Sequence, residues 1–410
     1  MSSHSPAKRF RRWGAKLSTE RKEENKRHTQ PYRPMKRILL AFDKFKGSLT
    51  SDEVADAFAH GIKDVAPHCE IRRIAIADGG EGTTETLCRE LSAERVSLTV
   101  SDPLGRPIEA HYAISGSTAI IEMAAASGLT LLTSNEHNPL KTTTYGTGEM
   151  VADAIARGCQ HIVLGIGGSA TNDGGMGLLE ALGCRFLDAT GEPLCGCGES
   201  LEQIATIDSS ALLPQLADTR ITIACDVDNP LTGECGAARI YAPQKGADEA
   251  TVVRLDRGLE HFADIVLSTT GIAIKEMAGA GAAGGMGGGC YALLGARLRR
   301  GIEVVLELLR FDEYAEGCDL IITGEGRIDS QTLRGKAPHG ILRRAQQLGI
   351  PTIAVGGSVE LSDGLRNSGF RAIYAATPDT MSLDEAMRHH TAKRNLRLTA
   401  QRIAQEWLLR

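Results

Sequence analysis

The chain has 410 residues, of which 42% are hydrophobic and 24% charged, and its formal net charge is −5. That length points to two domains, while the slightly acidic balance and few aromatics argue against a dedicated nucleic-acid binder. No apolar run reaches the roughly 20 residues of a membrane span. Ten scattered cysteines include one tight pair, Cys195-Gly196-Cys197, with no second pair at zinc-ligand spacing, so they read as reduced thiols of a cytoplasmic protein.

Residues 1–34 are strongly basic, with no strand run and no apolar helix face, and read as a disordered tail. Met35, directly before the first convincing strand, reads as an alternative start. A buried strand is predicted over residues 38–42, then a polar stretch, then a helix. Thr50 and Glu53 stand at capping-box spacing, and Val54, Phe58, Ile62 and Val65 continue the helix. Residues 71–77 form the next strand, ending on Asp78-Gly79-Gly80-Glu81-Gly82-Thr83, which opens another helix. Residues 97–123 alternate over short runs broken by Asp102-Pro103-Leu104-Gly105 and Ser115-Gly116-Ser117, as antiparallel hairpins do. Residues 320–323, 352–355 and 372–375 are short β-rich runs between helical segments. A final helix begins near Ser382 and Glu385 and carries Leu396, Ala400, Ile403 and Trp407 on one face.

This alternation implies an α/β fold. The expectation is a Rossmann-like parallel three-layer domain, residues 36–95 plus 300–410, with a second α/β domain containing mixed or antiparallel strands inserted at 96–299. Ligands of such sheets bind beyond the carboxyl ends of the strands, so the active site is expected in the cleft between the domains.

Five loops are too glycine-rich or too charged for plain connections. Asp43-Lys44-Phe45-Lys46-Gly47-Ser48 puts two cations at a helix start, a natural anion site, or else a solvated turn. Asp78 at the next strand end either serves Mg²⁺ or caps the helix that follows. The run Gly165-Ile166-Gly167-Gly168-Ser169-Ala170 matches G-x-G-x-x-A, and Asp188 stands about where a ribose-binding acid would, which favours an NAD(P)-dependent oxidoreductase. Against that, Gly174, Gly175 and Gly177 fall in the first turns of the binding helix, at up to about 1 kcal/mol each. A longer loop with Ser169, Thr171, Asn172 and Asp173 as polar tips suits phosphates or a polyol acid better.

Cys225-Asp226-Val227-Asp228-Asn229-Pro230 offers two carboxylates at a strand end, a metal ligand and a base, or an Asx turn before the proline. The related run 279–289, almost without side chains, is either a phosphate cradle or a hinge. In the fifth loop, residues 323–332 with Gly335-Lys336, the charges Glu325, Arg327, Asp329 and Lys336 are too many for a tight loop without a ligand. No Walker A, protein-kinase, G-x-S-x-G or His-Glu-x-x-His pattern is present in these loops. His161 and His339 read as surface or supporting residues.

Taken together with Asp102-Pro103-Leu104-Gly105-Arg106, Ile121-Glu122-Met123-Ala124 and Thr143-Thr144-Tyr145-Gly146-Thr147-Gly148, these loops resemble those of the type-1 glycerate kinases over about residues 35–407. The resemblance implies a two-domain α/β fold with a Rossmann-like part. It also implies ATP-dependent phosphorylation of D-glycerate, usually to 2-phosphoglycerate, in glyoxylate and sugar-acid catabolism. ATP and Mg²⁺ would be the cofactors and D-glycerate the small-molecule partner, with no nucleic acid, no membrane and a homo-oligomer left open.

Within that resemblance, Asp43, Lys44, Lys46 and Asp226 are the catalytic candidates. The lysines would act on phosphates or developing charge, and Asp226 on the acceptor hydroxyl. Asp78 and Asp228 are the Mg²⁺ candidates. Ser48, Gly167, Gly168, Ser169, Asn172, Gly281, Gly284 and Gly285 would contact nucleotide phosphates. Glu325, Arg327, Asp329 and Lys336 would bind substrate, Arg327 and Lys336 through its carboxylate. A non-enzymatic sugar-acid binding protein is the third reading, after the oxidoreductase.

Overall fold

The computed structural model describes residues 37–77 and 83–409. The basic tail, the Met35 start and Asp78 lie outside the described residues.

Two main sheets organise the chain. In the first, β1 (Arg37–Phe42), β2 (Glu70–Ala75), β11 (Leu320–Ile328), β12 (Thr352–Val359) and β13 (Ala372–Ala375) run all parallel in the order β13-β12-β11-β1-β2. Ile38 to Phe42 are fully buried on both faces, which is why β1 reads as an unbroken apolar run. The second sheet has the order β10-β9-β6-β5-β4-β3. Here β3 (Glu94–Ser101), β4 (Pro107–Ser115) and β5 (Thr118–Glu122) form an antiparallel meander. β6 (His161–Gly165), β9 (Arg220–Ala224) and β10 (Arg297–Arg299) continue it in parallel. β7 (Arg185–Leu187) and β8 (Thr206–Asp208) make a separate ribbon. An α/β class with one parallel and one mixed sheet is what the sequence implies.

The helices that matter for the site are α1 (Ser51–Val65), α2 (Tyr145–Ala156), α3 (Glu249–Thr270), α4 (Gly301–Leu308), α5 (Ala337–Gln347) and α6 (His389–Trp407). Thr50 and Glu53 form the expected capping box at the start of α1. Val54, Phe58 and Ile62 of α1 share one core with Leu396, Ala400 and Ile403 of α6 and with the inner face of β1. Residue 61 must be glycine for this: a Cβ there would lie 2.3 Å from the carbonyl oxygen of Arg397. On the opposite face, Leu39, Ala41 and Ile321 join Ile302 and Val305 of α4, Ile341 of α5, and Ala113 and Ile120 of the second sheet in a single core. The two sheets are therefore joined through α4 and α5.

Two sequence expectations change. β11 does not stop at Thr323: it runs on to Ile328, with Arg327 and Ile328 still in register with Ser358 and Val359 of β12. Glu325 and Arg327 thus stand on a strand. The last helix does not run from Ser382. Ser382 caps only the short helix Leu383–Ala386, the chain reopens at Arg388, and α6 begins at His389. The reason is long-range: Oε1 of Glu53 accepts from His389 Nε2 at 2.6 Å and from Lys393 Nζ at 3.0 Å, anchoring the first turn of α6 to α1.

Candidate active site

From β1 the chain passes to β2 on one side of the first sheet, and from β11 to β12 on the other. The carboxyl ends of β1 and β11 therefore flank the topological switch point, where open α/β sheets bind ligands. A cavity of about 680 Å³ lies there. The loop after β1 lines one side with Asp43, Lys44, Phe45, Lys46 and Ser48. Phe45 is buried beneath the turn, and its carbonyl accepts from Ser48 N at 2.8 Å, while Lys44 and Lys46 are exposed at the rim.

β11 supplies Glu325, Gly326 and Arg327 to the same cavity, and Lys336 joins them from the start of α5. Glu325 is 8% exposed, and burial raises its carboxyl group above the ordinary range. It accepts from Thr332 Oγ1 at 2.6 Å and pairs with Lys336 Nζ at 3.2 Å. Arg327 pairs with Asp329 at 3.2 Å and with Glu360 at 2.8 Å. Asp329 caps the turn Ser330–Arg334 and does not line the cavity. The remaining wall is apolar: Met381, Leu383, Met387 and Leu396 cover it, with Asn395 among them.

A second cavity, about 360 Å³, opens at the carboxyl ends of β6 and β9 of the other sheet. Gly167, Gly168, Ser169, Cys225 and Asp226 line it, together with Tyr241, Gln244 and Lys245. The loop after β6 is shaped by Asp173. Its buried carboxylate accepts from Thr144 Oγ1 at 2.7 Å, Thr144 N at 2.8 Å, Gly175 N at 3.1 Å and Gly177 N at 3.3 Å. Burial still pushes that carboxyl group upward. Gly174 and Gly175, both at positive φ, turn the chain under the loop before the short helix Met176–Ala181.

Thr171, Asn172 and Asp173, expected as polar tips, are therefore fully buried, and Asn172 lines neither cavity. Gly281, Gly284 and Gly285 are buried too. A Cβ on Gly284 would lie 2.2 Å from the carbonyl oxygen of Thr171, and one on Gly281 2.2 Å from that of Pro230. Asp228 is exposed beyond the lining of the second cavity.

The two cavities approach each other at Asp226. Its Oδ1 accepts from the N–H of Gly301, the first residue of α4, at 2.9 Å. A Cβ on Gly335 would lie 3.7 Å from the same oxygen, and the next residue, Lys336, lines the larger cavity. A third cavity, about 440 Å³, lies against α4 and α5 and is lined by acids and bases that largely neutralise one another, among them Arg299 with Glu307 and Arg344 with Asp312.

The structure thus brings Asp43, Lys44, Lys46, Ser48, Glu325, Arg327 and Lys336 together, and separately Gly167, Gly168, Ser169 and Asp226. Lys245, Tyr241 and Gln244 were not foreseen. A short segment between Pro243 and Gly246 has no periodicity that singles out its lysine. Among the described residues, no group of three His, Cys, Asp or Glu is placed to hold a metal ion, and Cys195 and Cys197 are free thiols.

Residues 38–408 match the model of the glycerate kinase family. The chain belongs to that family. Glycerate kinase from Halalkalibacterium halodurans is 46% identical over 86% of this chain and 94% of its own length. Glycerate 2-kinase from Escherichia coli is 44% identical over 86% and 93%. A crystal structure from Salmonella typhimurium LT2, described provisionally as glycerate kinase 2, superposes with a TM-score of 0.81 at 41% identity, covering 91% of this chain and 98% of that one. Of the G-x-G-x-x-A match at residues 165–170, Ile166, Gly167, Gly168 and Ser169 line the second cavity. Asp188, the would-be ribose acid, has its carboxylate taken by its own turn, accepting from Thr190 N at 2.8 Å, Thr190 Oγ1 at 2.7 Å and Glu192 N at 3.0 Å.

Proposed function

We propose that this glycerate kinase transfers the γ-phosphoryl group of ATP to a hydroxyl of D-glycerate, with 2-phosphoglycerate as the product. The observation that carries this reading is the 680 Å³ cavity at the switch point, with one wall apolar and the rim set with lysines. The apolar wall of Met381, Leu383, Met387 and Leu396 suits a base, and Lys44 and Lys46 suit its phosphates.

Phosphoryl transfer asks a protein for positioning and for charge on the transferring group. Lys44 and Lys46 supply the charge. Lys336, paired with buried Glu325, lines the same cavity. Asp226 takes the proton of the acceptor hydroxyl as that oxygen attacks phosphorus. Its bond from Gly301 holds it in one orientation while leaving it at the cavity wall.

A Mg²⁺ that arrives on the nucleotide needs only one or two protein carboxylates. We assign Asp228, and Asp78 from sequence alone, to that ion, which would neutralise phosphate charge when bound. No helix among the described residues is long and apolar enough to cross a membrane. A coupled ADP-release assay with ATP, Mg²⁺ and D-glycerate, followed by phosphorus NMR of the product, tests the reading. Glycerate-dependent ADP release with a 2-phosphoglycerate signal supports it, and no release overturns it.

A further inference from the structure

Lys245 ends the short turn Pro243–Lys245 and is 2% exposed, yet it lines the smaller cavity. Its Nζ donates to Ser169 Oγ at 2.8 Å and to the Thr171 carbonyl oxygen at 2.6 Å. Both acceptors are neutral. Among the described residues no carboxylate lies within ion-pair distance of Nζ. Asp173, the acid that acts on it through space, is already committed to Thr144, Gly175 and Gly177. An ammonium has three protons to donate and a charge that is costly to bury unpaired. Holding the loop after β6 in place needs only a neutral donor.

The cavity sets polar groups around this ammonium in a mixed lining. At about 360 Å³ it is roughly half the size of the switch-point cavity, and Leu129, Ile166, Val227 and Ala282 supply its apolar lining. Its polar lining includes Ser169, Gln244, Tyr241 and Asp226. In the larger cavity, by contrast, Arg327 and Lys336 are already paired, with Asp329 and Glu360 and with Glu325.

We infer that the smaller cavity is the acceptor subsite and that Lys245 holds the carboxylate of glycerate in it. This rests on the glycerate kinase reading above and moves Gly167, Gly168 and Ser169 from the nucleotide phosphates to the acceptor. It also places the acid in the same cavity as Asp226, the proposed base. An anion at Lys245 has two sources in this reaction, the carboxylate of glycerate and a phosphate of ATP. The cavity's size and its shared wall with Asp226 favour the carboxylate.

Burial pushes the Lys245 ammonium down to about 7, with Asp173 opposing. An anion bound beside it raises it again, so above neutrality glycerate binding takes up a proton. The other titratable groups at this place are Asp226 and Cys225 after β9, Tyr241 on the neighbouring helix, Asp173 after β6, and His137, which packs against Gly246. Burial raises the Cys225 thiol and the Tyr241 hydroxyl further above neutrality.

The test compares wild type with Lys245→Met and Lys245→Arg. Initial rates are measured with each substrate varied, and calorimetry of D-glycerate binding is run at pH 8 in buffers of different ionisation enthalpy, with a non-hydrolysable ATP analogue present. Lys245→Met is expected to raise the glycerate KM about 100-fold and the ATP KM by less than about threefold. Lys245→Arg is expected to recover part of the loss. Wild type takes up protons on binding glycerate, and the Met variant does not. A rise in the ATP KM instead assigns the lysine to a nucleotide phosphate and overturns the inference. Unchanged KM values for both substrates leave it as a loop tether and do the same. If the Met variant fails to fold, absence of proton uptake by wild type overturns the inference on its own. A wild type that releases no ADP with D-glycerate fails the kinase reading, whereas one that turns over without these signatures fails only the subsite.

Discussion

The N–H of Gly301 donates a 2.9 Å hydrogen bond to Oδ1 of Asp226, so the loop after β9 and the first turn of α4 hold each other. That bond fixes the orientation of the carboxylate at the helix start. A Cβ on Gly335 would stand 3.7 Å from the same oxygen, an ordinary van der Waals contact.

Asp226→Asn keeps an oxygen acceptor for Gly301 but removes the basicity. The expected outcome is a kcat lower by about 10²–10⁴-fold, an ATP KM within a few-fold, and an unchanged melting temperature. Steady-state rates with a thermal melt check this, and a retained kcat would remove Asp226 from the proton transfer.

Lys44 and Lys46 stand exposed on the rim of the larger cavity. Lys46→Ala should raise the ATP KM about 10–100-fold without lowering the melting temperature, and adding Lys44→Ala should deepen the defect. The effect should shrink as ionic strength rises, since exposed charges are screened. Rates at two salt concentrations decide it; a defect confined to the glycerate KM would place the lysines on the acceptor.

Glu53 links α1 to α6. Hydrogen bonds from His389 first, and then Lys393, hold its carboxyl group down at about 2. In the unfolded chain it titrates near about 4.3. Its stabilising contribution is therefore full above about 4.3 and is lost as pH falls towards 2. Glu53→Gln should lower stability at pH 7, and the gap to wild type should narrow between pH 5 and pH 3. Urea unfolding at several pH values measures it, and a gap that widened with acid would contradict the assignment.

Gly284 sits at φ +69°, and a Cβ there would meet the Thr171 carbonyl oxygen at 2.2 Å. That oxygen is one of the two acceptors of Lys245. Gly284→Ala should cost about 2–5 kcal/mol from overpacking and a left-handed backbone, read as a shifted urea midpoint. Gly295→Ala, also at positive φ but with open space around its Cβ position, should cost less.

Local chemistry made much of the fold legible. The capping box of Thr50 and Glu53, the apolar run of β1 and the hairpin alternation before β5 each depend on near neighbours. The strand-end loops 43–48, 167–169, 225–226 and 325–327 that line the cavities were legible for the same reason: charge and glycine at strand ends. What could not be read depends on distant partners. β11 extends because β12 continues beside it, and α6 starts at His389 because Glu53 reaches it. Asp173 and Asn172 look like polar tips until Gly284 and Gly285 close over them. Lys245 carries no local signal at all, since its meaning comes from Ser169 and Thr171, brought to it only by the fold.

β1 forms its hydrogen-bond ladder with β11, although all the strands of the second sheet lie between them in the chain. During synthesis β1, β2 and α1 leave the ribosome with three of the five strands of their sheet missing, and the apolar edge of β1 stays open until residue 320 onward emerges. The second sheet, from β3 to β10, has all its strands by then. If it forms first, the early strands wait as an unpaired edge that is prone to wrong partners. Nascent chains stalled just before β11 should accordingly depend on chaperones that shield apolar strands, and dependence should end once β11 is released.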